Sequence, residues 1–207
     1  MDKYSILKQY YGHSAFRAGQ EALIDAILSG RDALCVMPTG GGKSLCYQIP
    51  ALLLPSITLV VSPLISLMKD QVAALKSAGV PAAYINSSLT GEQIRTVYAR
   101  TRKGAYKLIY VAPERLETNS FLSLMQEMDV SFLAVDEAHC ISQWGQDFRP
   151  SYLGIVDFIN ALPHRPIVAA YTATATKQVQ SDILRLLQLQ SCLLYTSPSP
   201  RDMRRSR

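Results

Sequence analysis

Short apolar runs alternate with longer stretches of helix-like sequence along most of the chain. The runs hold four or five residues each, mainly aliphatic or aromatic, which is typical of buried strands. This alternation predicts an α/β fold in which a mostly parallel sheet is flanked by helices. Strands are predicted at residues 33–37, 57–61, 82–85, 108–111, 132–135 and 167–171. Helices are predicted at residues 17–28, 45–54, 64–78, 91–102, 120–127, 152–161 and 177–187.

One long uncharged segment raises the alternative of a membrane span. Residues 44–68 contain no charged side chain and are long enough to cross a bilayer. However, Pro50, Pro55 and Pro63 divide the segment into a helix, a turn and a strand. Because the chain has 207 residues and 48% hydrophobic content, we expect this segment in the core of one large domain, without a membrane partner.

Charge and cysteine content limit the partners and the compartment. The formal charge is +5, but four arginines and one aspartate within residues 201–207 contribute +3 of it, so the rest of the chain is only mildly basic. The four cysteines include no C-x-x-C pair, so neither a zinc site nor a disulfide framework is expected. The N-terminal segment lacks the basic-then-apolar plan of a secretory signal, and a reducing, cytoplasmic location is favoured.

The character of the sequence changes after Gln190. Residues 191–200 show neither helical nor strand periodicity, and an arginine-rich segment follows. A basic tail can bind nucleic acid, but this ending resembles translated sequencing-adaptor sequence. We therefore assign residues 1–190 to the domain and predict that residues 191–207 are a non-native, disordered tail.

A glycine-rich loop separates the first predicted strand from the next helix. Its sequence is Thr39-Gly40-Gly41-Gly42-Lys43-Ser44. Glycines allow the backbone amides to face phosphate oxygens, and the following helix N-terminus adds positive potential. In such loops the lysine reaches the β and γ phosphates and the serine hydroxyl ligates Mg²⁺, so Lys43 and Ser44 predict a nucleoside triphosphate site. The alternative is an ordinary glycine turn, since the usual pattern has glycine where this chain has Met37.

A second signal lies at the end of the fifth predicted strand. There an apolar run leads into Asp136-Glu137-Ala138-His139. Acidic residues at the carboxyl end of a parallel strand face the ligand crevice. Asp136 is suited to hold Mg²⁺, and Glu137 is suited to orient or deprotonate an attacking water. The alternative is a solvated carboxylate pair, but together with the glycine-rich loop the pair predicts hydrolysis of a nucleoside triphosphate.

These motifs resemble the first motor domain of the RecQ family of DNA helicases, within helicase superfamily 2. The resemblance covers residues 5–190 and implies a RecA-like P-loop NTPase fold, with ATP and Mg²⁺ as cofactors and His139 as part of the catalytic motif. The segment Phe16-Arg17-Ala18-Gly19-Gln20 is similar to the leading motif of the family, which implies that Gln20 reads the edge of adenine and that Arg17 lies beside it. Alternatively, Gln20 is a polar residue on the exposed side of helix 17–28.

Three further segments are similar to family motifs that contact nucleic acid or couple its movement to the nucleotide. One begins at Ser62, another spans residues 112–116, and the third contains Thr172 and Thr174. Hydroxyls and amides at helix starts suit phosphate oxygens, and the threonine hydroxyls are expected to hydrogen-bond the acidic pair. Each segment is also compatible with an ordinary strand-to-helix turn or helix cap.

Residues 140–152, directly after the acidic motif, resemble the aromatic-rich loop of RecQ enzymes. Trp144 and Phe148 are suited to stack on unpaired bases, and Arg149 is suited to add positive charge toward the nucleic-acid backbone. The alternative is that one or both aromatic rings pack the loop onto the domain. The sequence departs from the family pattern at Gln146 and Ser151, where the family usually has histidine and glutamate, so the coupling of DNA to hydrolysis is expected to be altered.

The resemblance implies an ATP-dependent helicase that translocates along single-stranded DNA in the 3′ to 5′ direction and unwinds partly duplex DNA. It also implies family roles in DNA repair and recombination, and a second motor domain that supplies an arginine finger. Without that domain, ATP turnover is expected to be weak. Two alternatives stay open: an RNA helicase, because Asp-Glu-Ala-His occurs there as well, and a module that binds single strands without useful hydrolysis.

Overall fold

A computed structural model describes residues 1–197 of the chain. Within them, helices and strands alternate from the second helix onward, as the sequence predicts, except that two helices lie between the fourth and fifth strands. The strands are β1 (Ala33–Val36), β2 (Ile57–Val61), β3 (Ala82–Ile85), β4 (Leu108–Val111), β5 (Val130–Val135), β6 (Ile167–Thr172) and β7 (Leu193–Thr196). The helices are α1 (Lys3–Tyr11), α2 (Gln20–Leu28), α3 (Lys43–Leu53), α4 (Ile65–Ser77), α5 (Gly91–Arg102), α6 (Pro113–Leu116), α7 (Asn119–Glu127), α8 (Gly154–Ala161) and α9 (Lys177–Leu186).

The strands form one seven-stranded sheet in the order β3-β4-β2-β5-β6-β1-β7, and each pair is parallel. This confirms the predicted fold class. Val61, at the end of β2, pairs with Val111 on one side and Val135 on the other, so the central strands end level with one another. The loops that follow these strands therefore meet at one edge of the sheet.

The element boundaries differ from the prediction mainly near the N-terminus. Helix α2 begins at Gln20 rather than at Arg17, because Gly19 takes the left-handed conformation with φ at 82°. Helix α1 was not predicted from the sequence. Asp2 caps it by accepting a hydrogen bond from the Ser5 amide, and Ile6 and Leu7 are buried against α2 and α3.

Strand β7 corrects the prediction that the fold ends at Gln190. Its backbone pairs with β1, and the Leu193 amide donates to the Asp32 carbonyl at 2.9 Å. Leu193 and Tyr195 pack against the core while their neighbours face solvent, a strand alternation too short to stand out in the sequence. Residues 198–207 of the predicted tail lie outside the described residues. The non-native origin of residues 191–207 stays a prediction.

The segment that resembled a membrane span lies in the core. Residues 44–68 form most of α3, all of β2 and the start of α4, and β2 is buried along its whole length. Within residues 1–197, no helix is long and apolar enough to cross a membrane. The apolar character of this segment therefore comes from a strand that is covered by helices on both faces of the sheet.

Helix α3 accommodates a proline through a hydroxyl from the sheet. Pro50 lies inside the helix and cannot donate to the carbonyl of Cys46, four residues earlier. The buried Tyr171 hydroxyl donates to that carbonyl at 3.2 Å. This bond supplies the partner that the proline removes, and it fastens α3 to β6 directly behind the glycine-rich loop.

A buried carboxylate fastens the amino ends of the sheet. Asp32, just before β1, is 2% exposed and forms an ion pair with Arg165, whose Nη2 lies 2.6 Å from Oδ2. The same carboxylate accepts hydrogen bonds from the amides of Val168, at 2.8 Å, and Gln190, at 2.6 Å. Asp32 therefore joins β1 to β6 and to the segment before β7.

We expect Asp32→Ala to lower the free energy of unfolding by about 3 kcal/mol, because it takes this acceptor away from the buried Val168 amide, the Gln190 amide and the Arg165 guanidinium. Urea denaturation at neutral pH measures this loss. Arg102→Ala is the matched control, since its ion pair with Glu127 lies on the surface and is expected to contribute less than about 1 kcal/mol. Equal losses in the two variants would contradict the role of Asp32.

Candidate nucleotide and nucleic-acid site

A cleft of ≈ 450 Å³ lies at the carboxyl edge of the sheet, where the loops after β1 and β5 meet. It brings together residues predicted from three separate parts of the sequence. Among the predicted residues, Arg17, Gln20, Thr39, Gly40, Gly42, Lys43, Ser44, Asp136 and Glu137 line the cleft. His13, Leu67 and Gln71 also line it. Leu67 and Gln71 lie in the motif segment that begins at Ser62, where they were expected near nucleic acid, whereas no motif singles out His13.

The glycine-rich loop has the conformation that the sequence predicted. Gly40 and Gly42 take positive φ angles of 81° and 84°, and α3 starts at Lys43. Lys43 donates from Nζ to the Met37 carbonyl at 3.0 Å, so its ammonium lies folded over the loop. Met37 fits in place of the usual glycine because Gly41 has no side chain: a Cβ there would lie 2.5 Å from the Met37 Cγ.

Gln20 is buried, so its alternative assignment to the exposed side of a helix is wrong. Its Nε2 donates to the Gly42 carbonyl at 3.1 Å, and its Oε1 accepts from the Arg17 amide at 2.8 Å. Arg17 in turn donates from Nη1 to the Gly40 carbonyl at 2.8 Å. Both residues therefore support the glycine-rich loop, and contact with adenine stays a prediction.

The acidic pair occupies two different environments. Asp136 is 7% exposed, and burial, followed by repulsion from the neighbouring Glu137, raises its pKa to about 6. Glu137 is partly exposed and takes a left-handed backbone conformation with φ at 48°. Its amide donates to Asp136 Oδ1 at 3.0 Å. The left-handed conformation of Glu137 prevents the chain from continuing as a strand beyond Asp136.

Thr172 contacts His139 rather than the carboxylates, which corrects the prediction for the threonine hydroxyls. His139 Nδ1 lies 3.0 Å from Thr172 Oγ1 and 3.3 Å from Glu137 Oε2. The Thr172 hydroxyl donates to the Thr174 carbonyl at 3.1 Å, so its oxygen is left to accept from Nδ1–H of His139. His139 therefore lies between the end of β6 and Glu137, and the Thr174 side chain is exposed.

The residues predicted to contact nucleic acid differ in how far they are exposed. Trp144 is 74% exposed, whereas Phe148 is half-buried, so the packing alternative applies to Phe148 in part. Arg149 is bound through Nε and Nη2 to Asp147, at 3.0 and 2.9 Å, so its charge is shared within the loop. Ser62 is 1% exposed and its hydroxyl has no hydrogen-bond partner within residues 1–197, so the prediction of a surface hydroxyl there is wrong.

The aromatic loop is attached to the acidic motif at its far end. The Arg149 amide donates to the Cys140 carbonyl at 2.8 Å, which closes the base of the loop. The buried Tyr152 hydroxyl then donates to the Asp136 carbonyl at 2.8 Å. Neither contact has a sequence signature, because each joins a side chain or amide to a backbone carbonyl some distance away along the chain.

The cleft contains residues suited to magnesium. Mg²⁺ is usually held by one or two protein oxygens together with water and substrate phosphates, and Ser44 and Asp136 line the same cleft. Among the described residues, no group of three or more histidine, cysteine, aspartate or glutamate side chains forms a metal site. A magnesium ion held here would therefore take most of its ligands from water and phosphate oxygens.

A parallel sheet with a glycine-rich loop after β1 and a buried carboxylate after β5 defines the P-loop NTPase class. Comparison with known families is more specific. The family model "DEAD/DEAH box helicase" matches residues 17–182, and the chain belongs to that family.

Known relatives point to one branch of this family. The chain is 51% identical to the ATP-dependent DNA helicase RecQ of Bacillus subtilis over 90% of its own length and 32% of the relative. It is 53% identical to RecQ of Haemophilus influenzae over 92% of its own length and 31% of that relative. The chain thus spans about a third of the length of these relatives. The fold matches that of the helicase MrfA bound to DNA with a TM-score of 0.75, at 15% identity over 95% of this chain and 29% of that one.

The raised pKa of Asp136 predicts that Asp136→Asn stabilises the protein at neutral pH in the absence of Mg²⁺. In the unmodified protein, the folded state binds the Asp136 proton more tightly than the unfolded state does. The stability that this proton contributes is therefore full below about pH 4 and is lost as the pH rises to about 6. The asparagine variant avoids that loss. Its advantage in unfolding free energy should grow from near zero at about pH 4 to about 1–3 kcal/mol above about pH 6.

Urea denaturation in EDTA at several pH values measures this difference. Asp157→Asn is the control, because Asp157 is an exposed aspartate on α8. An advantage for Asp136→Asn that does not vary with pH would contradict the assignment.

Proposed function

We propose that this chain is the first motor domain of an ATP-dependent DNA helicase of the RecQ type. It would couple ATP hydrolysis to movement along single-stranded DNA and to unwinding of partly duplex DNA. The observation that carries the proposal is the exposed Trp144, which follows Glu137 of the nucleotide cleft closely in the chain, in a sequence that is about half identical to RecQ helicases. Translocation in the 3′ to 5′ direction and a role in DNA repair or recombination rest on the resemblance alone.

The nucleotide side of the proposal uses residues that already lie together. Lys43 would leave the Met37 carbonyl and bind the β and γ phosphates, and the loop amides would bind the remaining phosphate oxygens. Ser44 and Asp136 would hold Mg²⁺, which neutralises phosphate charge. Glu137 would orient the attacking water and accept its proton, and His139 would fix the direction of the Glu137 carboxylate through their 3.3 Å contact.

Adenine recognition would involve Gln20, whose side chain is already hydrogen-bonded within the protein. Its amide is used by Gly42 and Arg17 in the structure, so binding of adenine would either displace these bonds or use the free lone pair of the Gln20 carbonyl. Since Gly42 belongs to the phosphate-binding loop, such a displacement would link occupation of the base site to the position of the phosphate site.

The nucleic-acid side of the proposal depends on Trp144. An exposed indole can stack on any unpaired base, because every base has a π face. Phe148 would add a second, partly covered ring. Arg149 would contribute its charge after releasing Asp147. The segments around Ser62 and Thr174 would contact the nucleic-acid strand through their backbone groups. Gln146 and Ser151 replace the usual family residues, so we propose weaker DNA coupling than in the family pattern.

Two alternatives have specific grounds. An RNA helicase is possible because the matched family model covers DEAD/DEAH box proteins in general. The second alternative is a module that binds single strands without useful hydrolysis. Its ground is that catalysis in this class uses an arginine from a second domain, whereas the described residues form one motor domain. A cytoplasmic location is also proposed, on the absence of a disulfide pattern in the sequence.

The experiment that tests the function is ATP hydrolysis by the complete protein, with single-stranded DNA, with single-stranded RNA and without either. We expect stimulation by DNA well above that by RNA. Stimulation by RNA alone would favour the RNA helicase, and ATP binding without stimulation would favour the non-motor module.

We expect Lys43→Ala to lower the ATP hydrolysis rate of the complete protein by about 100-fold or more, because the variant loses the charge that stabilises the transferred phosphoryl group. Stability should change by less than about 0.5 kcal/mol, since Lys43 is only partly buried and its ammonium donates to the Met37 carbonyl beside the glycine-rich loop. Hydrolysis and thermal unfolding measure the two effects. Lys103→Ala, at an exposed lysine, is the control, and retained hydrolysis in Lys43→Ala would refute the phosphate site.

We expect Trp144→Ala to weaken DNA stimulation by about 10-fold while basal hydrolysis stays within about twofold, because base stacking contributes about 1–3 kcal/mol. Titration of single-stranded DNA in an ATP hydrolysis assay measures the change. Tyr4→Ala, at another exposed aromatic residue, should leave both rates unchanged. Parallel loss of basal and stimulated rates in Trp144→Ala would indicate a packing role instead.

A further inference from the structure

A second contact attaches the aromatic loop to the domain, at the near end of the loop. The Ser142 hydroxyl donates to Asp182 Oδ2 at 2.7 Å, and both residues are buried, with exposures of 0% and 7%. The same Ser142 oxygen accepts a hydrogen bond from the Trp144 amide at 3.2 Å. The Asp182 carboxylate therefore fixes the direction of a hydroxyl that in turn holds the backbone of the exposed tryptophan.

The bond to Ser142 is the main interaction of the Asp182 carboxylate. Hydrogen bonding from Ser142, followed by Arg185, keeps the pKa of Asp182 below its usual value, so the group is charged at neutral pH. Bonds to a charged acceptor are stronger than neutral ones. The Arg185 side chain is 71% exposed, so water and salt weaken its ion pair with Asp182.

The position of Asp182 connects the aromatic loop to His139, the last residue of the acidic motif. Asp182 lies on α9, and the Thr176 hydroxyl caps the start of that helix by accepting from the Val179 amide. Only a few residues separate this cap from Thr172, which contacts His139, and His139 contacts Glu137. Ser142 itself follows His139 by three positions. The contacts therefore form a closed ring through His139, Thr172, α9 and Ser142.

The loop is held close to the domain by a glycine as well. The Gly145 amide donates to the Ser142 carbonyl at 2.9 Å, and a Cβ on Gly145 would lie 2.3 Å from the His139 carbonyl oxygen. A cavity of ≈ 100 Å³ remains between the loop and the start of α9, lined by residues that include His139, Trp144 and Thr174. The loop thus rests on α9 with space beside it into which it can move.

We propose that Asp182 is a positioning residue, which sets the resting position of the aromatic loop through Ser142. When the loop is displaced, Asp182 passes that displacement to His139 and Glu137 by way of α9 and Thr172. The inference rests on the proposed function, because the displacement would be produced by a single strand stacking on Trp144. It assigns a role in coupling to a residue that lies outside the nucleotide cleft and that carries no motif signal in the sequence.

The first test concerns the contact itself and needs neither nucleotide nor DNA. Trp144 is the only tryptophan of the chain, so intrinsic fluorescence reports this loop alone. Ser142→Ala and Asp182→Ala should each lower the steady-state anisotropy of Trp144, because the anchored indole gains local motion. The double variant should lower it no further than either single variant. Arg185→Ala, which removes the exposed partner and leaves Ser142 in place, should leave the anisotropy unchanged. Unchanged anisotropy in both single variants would overturn the proposal.

The second test separates coupling from a purely structural role. In the complete protein, Asp182→Ala should leave basal ATP hydrolysis within about twofold and lower the DNA-stimulated rate by about fivefold or more. Asp182→Asn should restore part of the stimulation, because its amide oxygen still accepts from Ser142. Loss of basal and stimulated rates in equal proportion would overturn the proposal.

The outcomes also distinguish this inference from the proposed function. If the unmodified protein shows no stimulation by DNA, the proposed function is wrong, while the anisotropy of the four variants still decides whether Asp182 holds the loop. If DNA stimulates the unmodified protein and Asp182→Ala equally, the function stands and the coupling role of Asp182 is wrong.

Discussion

The hydrogen-bond ladder of the sheet continues beyond the strands into the catalytic loops, and the site depends on this continuation. The Met37 amide, just before the glycine-rich loop, donates to the Thr172 carbonyl at 3.0 Å, and the Asp136 amide donates to the Val61 carbonyl at 2.9 Å. The start of the phosphate loop and the buried carboxylate are therefore held by the same backbone pairing that forms the core. Asp32 closes the opposite end of the sheet. Catalytic positions fixed in this way lose little entropy when a ligand binds.

The side chains of the cleft are already engaged with the backbone. Lys43 and Gln20 donate to loop carbonyls, and Arg17 does so as well. A triphosphate must compete with these bonds, but the loop needs no refolding, since Gly40 and Gly42 already take the required angles. Asp136 shows the opposite balance, because burial raises its pKa and makes its charged form less favourable. A cation bound beside Asp136 would offset this cost of burying the charge.

Six strands and the two main motifs could be predicted from the sequence, because apolar runs and glycine or carboxylate patterns are local signals. What the sequence did not indicate is mostly long-range. The bonds of Asp32 to Arg165 and of Ser142 to Asp182 join residues far apart in the chain and follow no period. The burial of Ser62 and the partner of Thr172 depend on which strands are neighbours in the sheet, and strand order is not encoded locally. Departures from prediction thus lie where tertiary pairing decides the outcome.

Strand β7 has a consequence for the solution behaviour of the domain. Without it, β1 would be the edge of the sheet and would present a row of unpaired amides and carbonyls beside the phosphate loop. An open edge of this kind is a template for a strand from another molecule, and such pairing depends on the backbone far more than on side-chain identity. A segment of foreign sequence can therefore occupy this place as well as a native one. Whatever its origin, β7 protects the nucleotide-binding strand from self-association.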